Sequence, residues 1–463
     1  MIKLHAAGRL AFAPGLAGAT LAAYRKYYID WADSNLRDYT APTLQYREIV
    51  DLLENHLQHL WYLWTTGKGE AGRERIAVAL MQTELERRWL LDTRTGAINT
   101  WDGMQAFIDG STQAALAYTG VQVVDMVWLP WITDQLVDLT SAFGAEAVVS
   151  WIPEVADACR VDGHLIALPK DVDFGLLYYR CDLLAKYGFA APPSTWDELE
   201  HMAAVIQTGE RAAGRRDFWG YIWPGQKPEG ITCTALEWQH SEGGGCIIER
   251  DGCVSIANER AAAALARAAR WVGTISPAHF GEMSETEAIR TWYNRDTAFM
   301  RLWTGFLAAR FRGAMQSETE VCIAPRGSVR HAATLGGWPL VVHKSFRQRG
   351  EAIELMKAVG SPETQRWRAT QGDGAAPSIL ALYHDPSIVA VHPVLQAVHM
   401  VIAEGGLAQR PIAVAGTRYT QVAALYANTV TSILRGEVEA APALADLERQ
   451  LVELGPWTAR DQR

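Results

Sequence analysis

The stretch from Leu168 to Trp223, LPKDVDFGLLYYRCDLLAKYGFAAPPSTWDELEHMAAVIQTGERAAGRRDFWGYIW, constrains the fold more than any other part of the chain. Gly175 to Arg180 is a short apolar and aromatic run, long enough for a buried strand and too short for a helix. Pro192 and Pro193 break the chain after it. Thr195-Trp196-Asp197-Glu198 then has capping-box spacing: the Thr hydroxyl accepts from a backbone N–H three residues on, and Glu198 reaches back. Leu199, Met202, Ala203 and Ile206 recur at helical spacing, which predicts a helix with one buried face. Strand, punctuation, capped helix and a second aromatic strand alternate as in an α/β protein.

A chain of 463 residues holds two large lobes or about three ordinary domains. With 49% hydrophobic and 21% charged residues it has ample material for cores. The 18 tryptophans are many; most are expected in the core, and an exposed one marks a flat apolar ligand or an interface. A net charge of −9 argues against a nucleic-acid partner, because phosphates need clustered Lys and Arg. The basic run Arg211 to Arg216 reads as a solvated helix end. No stretch approaches the roughly 18 uninterrupted apolar residues of a membrane span.

The six cysteines show no C-x-x-C spacing and no partner histidines, so no zinc site or other cofactor is expected. Free buried thiols are the default reading, and a disulfide from Cys233 to Cys246 or Cys253 stays open. Leu10 to Ala23, after Lys3 and Arg9, has the apolar character of an export signal, but Pro14 interrupts it and Arg25-Lys26 follow at once. It makes no convincing signal peptide. With no cysteine before Cys159, a lipid anchor is not expected in the chain as given.

The central stretch closely resembles the extracellular solute-binding proteins that serve sugar ABC transporters, in the trehalose/maltose-binding branch. That branch carries an aspartate before GLLYYR-DLL-KYG, then PP-TW-EL, FWG-W-G and an EG step. Here those positions are Asp173, Gly175 to Arg180, Asp182-Leu183-Leu184, Lys186-Tyr187-Gly188, Pro192-Pro193, Phe218-Trp219-Gly220, Trp223, Gly225 and Glu229-Gly230. The resemblance begins at Gly120 and runs to the C-terminus. It includes the strand Val121 to Trp128 with Asp125, a helix over Trp131 to Phe143, and a strand His164 to Pro169. Beyond these come the Trp at 303, the GGW at Gly336 to Trp338, and Arg410-Pro411.

Before Gly120 it fails. Ile2 to His5 reads as a strand, and Arg47 to Trp64 and Arg73 to Leu91 as amphipathic helices without a counterpart in the family. Outside the resemblance in detail, Asn258 is expected to cap a helix that stops at Gly273.

The resemblance implies an α/β two-lobed periplasmic-binding-protein fold with several hinge crossings and an atypical helix-rich N-terminal segment. Residues 1–170 would form the first lobe (1–120 atypical), 171–334 the second, 335–376 a return to the first, and 377–463 helices packed on the second. It further implies a probe of sugar chemistry rather than an enzyme: a monomer outside the cytoplasmic membrane that binds a di- or oligosaccharide between the lobes. Hinge closure would present the loaded form to the transporter permease. The alternative is an intracellular sugar sensor or interaction protein on the same fold, supported by the unconvincing export signal. A glycosidase is the other rival, since paired carboxylates and tryptophans serve that chemistry too.

By similarity Asp125, Asp173 and Arg410 take the polar role at the sugar, and Trp303 and Trp338 stack on it. Gly336 lets a ring approach the backbone. Asp171 stands where the branch has an aromatic and is placed with the ligand-binding residues, while Gly305 replaces a tyrosine. Glu237-Trp238, in a helix expected to face the cleft, is a weaker candidate.

Overall fold

The computed structural model describes residues 121–226, 228–306, 317–344, 346–371 and 374–457. The sequence-based strand Ile2 to His5, the apolar stretch Leu10 to Ala23 and the two amphipathic helices before residue 92 lie outside them. The chain divides into two compact units. Of the described residues, the first holds 121–124, Gln135–Val137 and Leu340–Thr364, and the second holds Asp125–Asp134, Asp138–Pro339 and everything from Gln365 onward.

Among the described residues the strands are β1 (Val121–Val123), β2 (Arg160–Val161), β3 (His164–Leu165), β4 (Asp173–Arg180), β5 (Trp219–Ile222), β6 (Thr297–Trp303), β7 (Thr319–Ile323), β8 (Ala333–Gly336), β9 (Leu340–Val342) and β10 (Leu407–Ala408). In the first unit β1 pairs antiparallel with β9, from Val121 opposite Val342 to Val123 opposite Leu340. Both strands are wholly buried and apolar except for Gln122.

The second unit is built on β4, the GLLYYR strand extended to Asp173. One edge pairs antiparallel with β6; the other pairs with β7 along Leu176–Arg180 and with β8 at Asp173–Phe174. β5 adds parallel to β6, and β10 parallel to β8. A strand covered on both edges reads as a nearly continuous apolar run, and every residue of β4 after Asp173 is buried, the terminal Arg180 included.

The Trp196–Ala212 helix packs on this sheet through Leu199, Ala203 and Ile206 of the spacing read from the sequence, joined by Trp196, while Met202 is only half-buried. Its cap differs in one detail. Thr195 Oγ1 accepts from Glu198 N at 3.2 Å as expected, but the Glu198 carboxylate takes Ser194 N and Oγ, both at 2.7 Å. Asn258 caps the Glu259–Trp271 helix at Ala261 N (2.9 Å), and Gly273 follows its end at positive φ. Helices Glu229–Ser241, Glu259–Trp271, Tyr419–Leu434 and Ala440–Leu454 pack together beside the sheet. Trp238 and Trp271 of the first two join Trp196 of the Trp196–Ala212 helix and Tyr221 and Trp223 at β5 in one buried cluster, with ring centroids 5.0 to 6.4 Å apart. These tryptophans are core, and Trp238 is fully enclosed.

Four local expectations need correction. The strand read over His164 to Pro169 is only His164–Leu165, paired with Arg160–Val161. Val121 to Trp128 is not one strand: pairing stops at Val123, and Asp125 caps a 3-10 turn over Met126–Trp128. Trp131 to Phe143 is not one helix. Helical structure runs through Leu129–Ile132 and Thr133–Gln135, after which Asp138 Oδ1 accepts from Thr140 N at 2.8 Å and Leu139 N donates to Leu165 O at 2.7 Å. An aspartate offering its own turn competes with helix continuation. Arg211 and Arg215 are not merely solvated. Their guanidinium groups lie 4.6 Å over the Trp219 ring and 5.0 Å over Phe218, and Arg215 also meets Asp296 at 3.1 Å.

All six cysteines are free thiols: Cys159 and Cys233 are buried, Cys253 exposed and the others half-buried. Among the described residues no helix is long and apolar enough to cross a membrane.

Candidate functional site

One end of the second unit's sheet gathers chemistry from far-apart parts of the chain. β4 starts there, and the antiparallel β6 and β8 end there, so Asp173 faces Gly336 across one ladder and Gly175 faces Trp303 across the other. β10 and β5, parallel to β8 and β6, end on the same side. Arg410 follows β10, and the helix beginning at Glu229 follows β5. Sites outside the carboxyl ends of strands are a general consequence of α/β architecture.

Asp173 is held by β6's continuation. Its Oδ1 accepts from Thr304 Oγ1 at 2.9 Å and Gly305 N at 2.7 Å, while Oδ2 has no protein donor among the described residues. Burial pushes its carboxyl above the usual range, and the nearby Asp171 charge adds to this. The glycines make room. A Cβ at Gly336 would lie 3.1 Å from Trp303 Cζ3 and 3.3 Å from Asp173 Cβ, and one at Gly305 3.1 Å from Asp173 Oδ1. Trp303 is half-buried, and its N–H is 3.5 Å from Glu285 Oε1.

Arg410 is the cation of the cluster. Nη1 donates to Glu229 Oε2 at 2.8 Å and Nη2 to Leu335 O at 3.4 Å, while the buried Nε has no acceptor among the described residues. Tyr419 OH reaches both Glu229 oxygens, at 3.0 and 2.9 Å. Asp125, half-buried, accepts from Val127 N at 3.1 Å. Burial raises its carboxyl to about 6, against the pull of Arg410, with the Glu229 and Asp173 charges adding to the rise. Asp125 therefore lies within electrostatic reach of Arg410, Glu229 and Asp173.

The structure thus brings together Asp125, Asp173, Trp303, Gly336 and Arg410. Trp338 stands just past β8, half-buried, with no hydrogen bond or ring contact among the described residues. Asp171 is differently employed: its buried carboxylate is paired with Lys170 and with Arg368 Nη2 at 2.7 Å, and Arg368 Nη1 donates to Lys170 O at 2.8 Å. Glu237 and Trp238 do not face a cleft. Both are fully buried, Glu237 in an ion pair with Arg301 and Trp238 in the aromatic cluster, because their helix turns this face onto the sheet. Glu229 is the acid that sequence reasoning left out. In the sequence it is half of the Glu229-Gly230 step; its place in the first turn of a helix, where the dipole favours an anion, is the signal that points to it.

Asp125 carries a pH prediction. Its folded-state pKa, about 6, lies above the ordinary aspartate value of 3.8. Its stabilising contribution is therefore present below the unfolded value and lost as pH rises through about 6. Asp125→Asn keeps an oxygen for Val127 N and should flatten the fall in melting temperature between pH 5 and 7. Superimposable wild-type and variant profiles over that window would contradict the assignment.

The family model for bacterial extracellular solute-binding proteins matches residues 99–366. A probable ABC transporter-binding protein of Deinococcus radiodurans is 36% identical over 337 residues, covering 72% of this chain and 79% of that protein. Among solved structures, maltose-bound MalE3 of T. maritima is 27% identical with a TM-score of 0.67, covering 81% of this chain and 97% of its own. The cyclic alpha-maltosyl-1,6-maltose binding protein of Arthrobacter globiformis is similar in fold, with 19% identity, a TM-score of 0.62, and 74% and 87% covered. With its family match spanning more than half its length and its strands arranged to carry polar and aromatic groups at one sheet end, the chain belongs to the bacterial extracellular solute-binding proteins and has their α/β periplasmic-binding-protein fold.

Proposed function

We propose that this protein binds an uncharged di- or oligosaccharide without altering it and delivers it to the permease of an ABC transporter, outside the cytoplasmic membrane. The observation that carries the reading is the convergence of Asp125, Asp173, Glu229 and Arg410 beside the half-buried Trp303. A sugar entering such a site gives up water at every hydroxyl, and each unmet polar group costs about 1–3 kcal/mol. Asp173 answers this with a preoriented carboxylate whose Oδ2 takes no donor among the described residues. Asp125 and Glu229 supply further acceptors, and Arg410 holds Glu229 in place. The flat C–H face of a pyranose needs an apolar partner, which an indole provides.

Three carboxylates against one guanidinium repel anionic ligands, so sugar acids and sugar phosphates are disfavoured. The carboxylates act as hydrogen-bond acceptors and not as catalytic acids. The named function of the Deinococcus radiodurans relative and the maltose in the T. maritima structure agree with sugar delivery to a transporter.

A thermal-shift screen with mono-, di- and oligosaccharides tests this. At millimolar ligand and a micromolar Kd the stabilisation is about 4 kcal/mol, which raises the melting temperature by several degrees. Silence across maltose, trehalose and longer glucans would sink the proposal, as would release of reducing sugar from them.

A further inference from the structure

Behind Trp303 lies a buried charge pair that the sugar reading does not use. Arg301 and Trp303 are two residues apart on β6, so their side chains leave the strand on the same face. The Arg301 guanidinium sits 4.0 Å from the centroid of the Trp303 ring. Its other side is gripped by Glu237, with Nε to Oε2 at 3.0 Å and Nη2 to Oε1 at 2.5 Å. Glu237 Oε1 also accepts from Thr334 N at 3.0 Å, tying the fork to β8. The two side chains are 2% and 0% exposed. The pair occupies the space over Gly175: a Cβ there would lie 1.7 Å from Glu237 Oε1 and 2.5 Å from Arg301 Nη2. Glycine at the head of the GLLYYR run is what admits the pair.

A wholly buried ion pair is weak evidence for stability, because desolvation offsets its attraction. Its geometry answers a different need. The planar guanidinium covers one face of the indole, and the two-pronged grip of Glu237 fixes the plane of that guanidinium. Tyr178 OH, donating to Trp303 O at 2.8 Å, anchors the backbone at the same point.

We propose that Glu237 and Arg301 are positioning residues: together they clamp the Trp303 ring in one orientation and leave its opposite face for a sugar to stack on. This rests on the reading of Trp303 as a stacking platform. A ring already fixed spares the ordering of a mobile side chain on binding, worth about 0.5–1.5 kcal/mol, or roughly three- to tenfold in affinity.

The test uses the full chain labelled with 5-fluorotryptophan, the Trp303 resonance being assigned by its loss in Trp303→Phe. The variants are Glu237→Gln/Arg301→Met, which leaves an acceptor for Thr334 N and no unpaired charge, and Arg301→Lys, which keeps the charge but not the plane. Wild type should give one narrow Trp303 signal; both variants should broaden or split it and weaken maltose binding about three- to tenfold in calorimetry. An unchanged Trp303 signal in the folded variants overturns the proposal whatever maltose does. An altered signal with unchanged affinity overturns it as well. If the signal alters but wild type binds no sugar, the clamp stands and the sugar reading falls.

Discussion

Asp173→Ala is expected to weaken sugar binding at least about a hundredfold while leaving the protein folded. The carboxylate is preoriented: Thr304 Oγ1 and Gly305 N both hold Oδ1, which leaves Oδ2 to accept from the ligand. A hydrogen bond to a charged group is worth about 1.5–3 kcal/mol, and a carboxylate between neighbouring hydroxyls makes more than one. Loss of two such bonds corresponds to at least about a hundredfold in Kd. Folding responds differently. Burial makes the ionised form of Asp173 unfavourable, as its raised pKa records, so its removal relieves one penalty while stranding the two donors. These effects oppose each other, and the net change in stability should stay within about 1 kcal/mol. Calorimetric titration with the best sugar of the screen, beside urea denaturation, separates the two. Affinity within threefold of wild type would remove Asp173 from the site.

Arg410→Met should produce a large loss of stability in the second unit. The Arg410 side chain is 4% exposed and its partner Glu229 24%. Breaking a fully buried pair costs about 3–5 kcal/mol, because the remaining charge is stranded. With Glu229 still a quarter exposed, the lower end, about 3 kcal/mol, is the reasonable figure. The loss should depend on pH in a defined direction. Without the guanidinium, only the hydrogen bond from Val127 N opposes the burial and mutual repulsion that raise Asp125. The folded variant then binds protons more avidly than its unfolded chain, so its stability climbs as pH falls. Urea denaturation should show the full deficit at pH 7.5 and a smaller one at pH 5. A deficit equal at both values would mean that lost packing, not stranded charge, is responsible.

Local features of this fold were legible in the amino-acid sequence because their hydrogen bonds close within a few residues. The Thr195 and Asn258 caps each span three positions, and the buried run after Gly175 announces a central strand through composition alone. Even so, Glu198 bonds Ser194, and the helix that periodicity would have continued ends at Gln135, after which Leu136 bridges His343 and Asp138 turns back on Thr140 N. Neighbouring donors compete there on margins that spacing does not resolve. For the site, Asp125, Asp173, Trp303, Gly336 and Arg410 were each marked by family motif.

What the tertiary structure alone decided is which charge meets which. Asp171 pairs with Arg368 across 197 positions, Glu229 with Arg410 across 181, and Glu237 with Arg301 across 64. Nothing near these acids distinguishes one bound to a buried arginine from one left open to a ligand. That choice depends on strand register and on gaps such as the one over Gly175, which come into being only when distant segments pack.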